Sequence, residues 1–420
     1  MKILLVSYYF PPFNTIGAVR TGKLAKYWHT RGHDVKIISA APQPLPNTLP
    51  IEVPLSCIHY SKWLNINGIP IRLLGNKHVM THGYETSSTT LSKLGALYKC
   101  IINFPDGQIG WIPFATHTIK HLHKIWTPDF IYASSGPPST LIIAAAASRR
   151  MSVPWFAEFR DLWTDNHTYR YPRIRLSAEL ILERKTISTC QSIVTVSKPL
   201  ANTLKAKYNK PIIVVQNGFD PNDYLESQQI SNSTFSPDTL NIVYTGSIFP
   251  GQDASPLFKA IQLSEKLRSR VRIHFFGRYL NLIRRLLSSY DIADIIAIHE
   301  PVSFHQSLQL QRQADILLLL LRNSPSEHGV FTGKLFEYLG SRRPILLLGY
   351  QNGVAANLVK ERKAGISTNN IYEIQRYLEE MYIIKDSKRY IPDKPQFVSA
   401  EFTRDYQFDI LHKHIMEILP

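Results

Sequence analysis

Short apolar runs alternate along this chain with turns rich in glycine and proline and with stretches of helical period. Residues 2–9 form a buried-strand pattern closed by Pro11-Pro12. The loop FNTIGAVR follows, then a helical stretch over about 18–30, then Gly32 and a second apolar run, DVKIIS, at 34–39. Strand, breaker-rich turn, helix and strand in that order predict a βαβ start. Residues 41–110 are irregular. The alternation then resumes, with strands predicted at 130–134, 155–158, 192–196 and 212–216 and helices at 141–150, 175–188 and 198–208.

After a polar stretch at 226–238 the pattern begins afresh. Strands are predicted at 242–245, 273–276, 295–299, 316–321 and 345–348, separated by helices. Wholly apolar strands between helices belong to parallel sheets covered on both faces. A chain of 420 residues also exceeds what one core usually serves. The expected fold is therefore α/β, with two Rossmann-like, doubly wound parallel-sheet domains over 1–205 and 206–399. The final helical stretch at 400–420 has no strand after it and is expected to pack back on the first domain. Such sheets bind ligands beyond the carboxyl ends of their strands, and two of them facing a central cleft favour a nucleotide or phosphate ligand.

Composition narrows this picture. With 44% hydrophobic and 19% charged residues, disorder is excluded. The apolar stretch at 3–10 is too short for a membrane span and lacks a cleavage site, so neither anchor nor signal peptide is expected. Cys57, Cys100 and Cys190 lie far apart, which leaves no disulfide framework or metal-ligand spacing and fits a cytoplasmic protein. The net charge of +16 is concentrated in residues 1–200, which carry +12. No nucleic-acid-binding signature accompanies it. Basic residues flank apolar ones at Lys62-Trp63-Leu64, Ile71-Arg72-Leu73 and Tyr169-Arg170-Tyr171. An anionic membrane surface is the expected partner, with a merely solvated basic face as the alternative.

Several segments, in order, resemble retaining glycosyltransferases of family 4, which have the GT-B fold. They are KILLVSYYFPPFNTIGAVR, SSGPPST (134–140), EFRDLW (158–163), NGFD (217–220), YTGS (244–247) and TGKLFEYLGSRRPIL (332–346). SSGPPST, EFRDLW and the last segment resemble a subset making bacterial surface polysaccharides. The resemblance implies transfer of a sugar, of hexosyl or N-acetylhexosaminyl type, from a nucleotide diphosphate donor with retained configuration. The acceptor it implies is a hydroxyl of a lipid-linked glycan at the inner face of the plasma membrane.

The residues allow the chemistry to be placed. Thr332, Gly333, Lys334 and Leu335 read as the start of a helix, where free N–H groups and the positive dipole end suit a diphosphate. Lys334 adds a full charge, and Thr332 is a candidate N-cap or phosphate contact. Glu337 shares a face with Lys334 and by resemblance takes the ribose hydroxyls; the bland alternative is an ordinary surface Lys–Glu pair. The first glutamate of the family's usual pair falls on Gly329, so backbone groups of the 329–333 loop are expected to contact the donor sugar. Gly246 and Ser247 of YTGS and Gly17 of the first loop are further donor-side candidates. SIFPGQD lacks the basic pair often seen after YTG, and Arg278 in FFGR is the second choice for positive charge after Lys334. Arg160 and Asp161 should sit at a strand end on the acceptor side, Asp161 as general base or as part of an ion-pair network. Asp106 is a weaker acceptor-side candidate. His117, His121 and His123 have helical spacing and read as a polar face, not a metal site. No DxD pair is present, and no cofactor or metal is expected. Two other readings stay open: a non-hydrolysing sugar-nucleotide epimerase, and a catalytically silent sugar-nucleotide-binding scaffold.

Overall fold

Consecutive Ile, Val and Leu residues with no polar partner on either face can form strands only where helices cover both sides, and that is how this chain folds. The computed structural model describes residues 1–68, 100–167, 169, 171–225 and 234–419. Ile71-Arg72-Leu73 and Arg170, among the basic–apolar clusters, lie outside the described residues. The chain divides into two units, one of residues 1–215 with 408–420, the other of 216–407.

The first unit runs β1 (Lys2–Val6), α1 (Ile16–Thr30), β2 (Asp34–Ala40), β3 (Ile58–Ser61), α2 (Ile112–His123), β4 (Phe130–Ser134), α3 (Ser139–Met151), β5 (Trp155–Phe159), α4 (Arg173–Ile187), β6 (Ser192–Thr195), α5 (Lys198–Lys207) and β7 (Ile212–Val214). All seven strands are parallel, in the order β3-β2-β1-β4-β5-β6-β7. The order reverses between β1 and β4, the switch point beyond which such sheets bind ligands.

The second unit holds α6 (Asn222–Leu225), β8 (Leu240–Thr245), α7 (Ser255–Gln262), α8 (Glu265–Arg270), β9 (Val271–Phe276), α9 (Asn281–Leu287), β10 (Ile296–His299), α10 (Phe304–Gln313), β11 (Ile316–Leu320), α11 (Gly333–Ser341), β12 (Ile345–Leu348), α12 (Val354–Glu361), β13 (Gly365–Ser367) and α13 (Ile371–Lys388). Its six parallel strands lie in the order β10-β9-β8-β11-β12-β13, reversing between β8 and β11. Both sheets are the doubly wound architecture expected.

Two edge strands, β3 and β13, were not expected. IHYS is half polar, and GIS has three residues, so neither makes an apolar run. In β13, Gly365 lies so close to the backbone of Ile345 that a Cβ would collide with it. Because β7 pairs with β6, the first unit extends to Val215, beyond the expected boundary at residue 205. The last helix, α14 (Arg404–Ile418), contributes Phe408, Leu411 and Ile415 to the first unit, buried with Ile3, Leu24, Trp28 and Phe130. Among the described residues, no helix is long and apolar enough to cross a membrane.

Candidate functional site

In the second unit the switch point gathers most of the donor-side candidates. Strand β8 ends at Thr245, and Gly246 follows with φ +112°, a conformation open to glycine. A Cβ here would collide with Cε of Lys334, so the missing side chain is what admits the lysine. Lys334 lies in the first turn of α11. Its Nζ donates to Tyr244 Oη at 2.7 Å and to the Ser247 carbonyl at 3.2 Å, and stands 4.5 Å from the Tyr244 ring centre. Tyr244 Oη in turn donates to Ser247 O at 2.7 Å. Burial pushes the Lys334 ammonium down to about 8, against the opposing charge of Glu337. This is a charge held back from water by neutral partners, ready for an anion.

Thr332 occupies the N-cap position of α11, but its hydroxyl makes no capping bond and is buried without a partner. Thr332 thus places a polar atom at the start of α11, the end of a helix that suits an anion. Gly333 opens the helix. Leu335 lies fully inside the apolar core, so only its backbone belongs to the helix start. Gly329 is buried in the preceding loop; nearby Glu327 has its carboxylate 3.7 Å from Arg322.

Glu337, one turn on, accepts from Gln311 Nε2 at 3.2 Å. Gln311 also donates to Thr245 Oγ1 at 3.0 Å and accepts from Ser341 Oγ at 3.1 Å, so its amide is fixed. Burial raises the Glu337 carboxyl above its ordinary range, with Gln311 and Lys334 opposing. Among the described residues, Lys334 and Glu337 form no ion pair with each other, which argues against a simple surface pair. Arg278, just after β9, is exposed and joins neither of them. It lines a cavity of about 330 Å³ with Asn281, Arg284, His299 and Glu300. The preceding Gly277 packs directly on the carbonyl of Gly246.

The first unit brings a second group together at its own switch point. Gly17 is buried in the first turn of α1, and a Cβ there would collide with the Arg160 guanidinium; so would one on Gly136, at φ +115°. Arg160 Nε donates to Ser135 O at 2.8 Å and Nη2 to Gly136 O at 3.3 Å. Burial pulls its pKa below the usual arginine range. Arg160 is thus held by carbonyls and not by a carboxylate, while Asp161 is exposed with no hydrogen bond or ion pair among the described residues.

Beneath them, Glu158 accepts from Arg20 Nη2 at 2.7 Å, Tyr132 Oη at 2.7 Å and Ser134 Oγ at 2.5 Å, all buried. Burial opposes both charges, yet their attraction holds the Glu158 carboxyl below its ordinary range and Arg20 above.

Asp106 lies at the start of another helix. Its Oδ2 accepts from Ser139 N at 2.6 Å and Ser139 Oγ at 2.8 Å, and Oδ1 from Gln108 N at 2.8 Å. The carboxylate caps α3, whose own N-cap residue is Pro138 and offers no side-chain acceptor. It is a structural anchor, with burial raising its pKa. His117 and His121 stand exposed on α2 with ring centres 4.4 Å apart.

Three residues escaped the sequence reading. Tyr244 was within a noted motif, but nothing in its spacing tied it to Lys334, 90 residues on. Gln311 lies in an ordinary amphipathic helix. Arg20 lies in the opening segment, where its burial has no sequence signal.

Residues 17–223 match the family model described as Glycosyltransferase Family 4. Among curated protein sequences none matches the chain. Solved structures do resemble it in fold. Anabaena Alr3699/HepE, in complex with UDP and glucose, superposes with a TM-score of 0.63 at 13% identity, covering 99% of both chains. Sucrose-phosphate synthase from Thermosynechococcus elongatus gives 0.65 at 11% identity, again over 99% of each chain. A glycosyltransferase from Rickettsia africae gives 0.60 at 15%, over 100% of this chain and 98% of the other. Over residues 17–223 the chain is thus similar to glycosyltransferase family 4, and its whole length has the GT-B fold.

Proposed function

We propose that this protein transfers a sugar from a nucleotide diphosphate donor, with retention, to a hydroxyl of a lipid-linked glycan in surface polysaccharide synthesis. The observation that carries the reading is Lys334: a desolvated ammonium at a helix start, held by Tyr244 and Ser247 beside the unpartnered hydroxyl of Thr332. Such a group stabilises the charge that develops on a departing diphosphate and needs little reorganisation to do so. Glu337 takes the ribose hydroxyls, and the backbone from Gly329 to Gly333 faces the sugar. Gly246 and Ser247 shape the phosphate side, with Arg278 as a second cation. That the Anabaena relative was solved with UDP and with UDP-glucose supports a uridine nucleotide as the first donor to try.

In the first unit, Asp161 is the proposed general base for the acceptor hydroxyl. Arg160 and Gly17 present positive potential nearby. No divalent ion takes part in this scheme, because the Lys334 ammonium and the α11 N–H groups supply the positive charge. Attachment to the inner membrane face completes the reading.

Calorimetric titration of the purified protein with UDP, UDP-glucose and UDP-N-acetylglucosamine, repeated with chelator, tests it. Saturable binding unaffected by chelator is expected. No heat and no thermal stabilisation with any nucleoside diphosphate or its sugar conjugates would reject the donor site.

A further inference from the structure

Helix α4 is built inside out. Its buried stripe is charged: Arg175, Glu179 and Glu183 face inward, with Arg175 Nε 2.6 Å from Glu179 Oε1. Arg175 also donates to the carbonyls of Cys100, Asn103 and Pro105. Glu179 accepts from Trp163 Nε1, and Glu183 from Lys207 Nζ and Tyr208 Oη. The outward face carries two isoleucines instead, Ile174 87% and Ile181 69% exposed, with the small Ser177 and Ala178 between them and cations at either end. A helix normally turns such a stripe toward the core. Here an ionic clamp fills much of the core side, only Ile187 and Leu182 reach the apolar core, and Ile174 and Ile181 are left facing outward.

The charges around them have one sign. Arg173 precedes the stripe and Arg184 and Lys185 close it, all exposed. The neighbouring helix α3 ends in exposed Arg149 and Arg150, and α2, packed on α3, is followed by exposed Lys124 and Ile125. Helices α2 and α3 contain no acidic residue, and the two of α4 are both buried in the clamp.

We infer that the α2–α3–α4 face of the first unit docks on an anionic lipid surface, with Ile174 and Ile181 seated among the headgroups and Arg173, Arg184 and Lys185 on lipid phosphates. The inference rests on the proposed lipid-linked acceptor for its purpose, and on the inverted helix for its physics. Isoleucines at these positions decide against nucleic acid, whose backbone rewards cations but not branched aliphatic side chains.

The test is cosedimentation of the full chain with phosphatidylcholine vesicles, with and without phosphatidylglycerol. Binding to the anionic vesicles alone is expected. Ile174→Ser with Ile181→Ser, and separately Arg184→Glu with Lys185→Glu, should each weaken it by about tenfold or more. Because these side chains are exposed, their thermal melts should match the parent, and UDP-glucose binding should persist. Vesicle binding unchanged in both variants overturns the inference, as does no binding at low salt. So does tighter binding to duplex DNA than to the vesicles, or a dimer that the Ile variants abolish. Nucleotide binding without vesicle binding sinks this inference alone; vesicle binding without nucleotide binding sinks the proposed donor site and leaves this surface standing.

Discussion

If Lys334 meets a diphosphate, donor affinity must depend on pH in one particular window. In the free protein burial pushes its pKa to about 8. Two phosphate oxygens at the ammonium would return the pKa toward an ordinary lysine value, about 10.5. The bound state then holds the proton more tightly than the free state, so affinity is complete below about 8 and lost as pH rises toward 10.5. At pH 9.5 the free lysine is mostly neutral and the bound one mostly charged, which weakens binding about 30-fold relative to pH 7. A UDP-sugar suits the test, since its diphosphate does not titrate in this range and its uracil imide, which does, contributes alike to the parent and to Lys334→Met. Lys334→Met removes the titrating group. It should cost about 2 kcal/mol at pH 7, the scale of a hydrogen bond to a charged group, and flatten the profile. Isothermal titration from pH 7 to 9.5 reads both effects. A parent profile flat to pH 9.5, or the same slope in Lys334→Met, would refute the assignment.

Other expectations concern single side chains. Glu337→Gln keeps the shape but loses the charge, so donor affinity should fall about tenfold with little change in kcat; equal affinities by titration would remove Glu337 from the ribose contact. Asp161→Asn should lower kcat by about 100-fold or more while the donor Kd stays put, as for a lost general base. A kcat near the parent value means another group takes the proton. Arg20→Met strands the Glu158 carboxylate in the core and should destabilise the first unit by about 3–5 kcal/mol in urea unfolding, with much of the loss recovered by adding Glu158→Gln. No recovery in the double variant would mean that the arginine acts through its contact with the Val215 carbonyl instead.

The central strands were readable because each is an apolar run between breakers. Edge strands β3 and β13 were not, since a half-polar IHYS and a three-residue GIS differ little from loop. Of the candidate donor site, the helix start at Lys334 and the shared face of Lys334 and Glu337 were legible, from a glycine before a helical run and from one-turn spacing. Their environment was not: the burial of Lys334 against Tyr244 and the anchoring of Glu337 by Gln311 join strands and helices far apart in sequence. The capping contact of Asp106 with Ser139 was equally invisible, because it joins a turn to a helix start 33 residues on. Helix α4 was legible as a helix, but its buried charges were not, because a period of 3.6 residues does not say which stripe faces in.

The return of the last helix has a consequence for how the protein is made. Phe408, Leu411 and Ile415 complete a core that otherwise consists of residues from the first half of the chain. On the ribosome, that half emerges early and then waits while residues 216–407 are synthesised. At about 5–20 residues per second the wait is roughly 10–40 s. Throughout it, the face that will hold Phe408 is open around Trp28 and Tyr27, a natural landing place for a chaperone. Loss of Phe408, Leu411 and Ile415 would therefore be felt first in the amino-terminal unit.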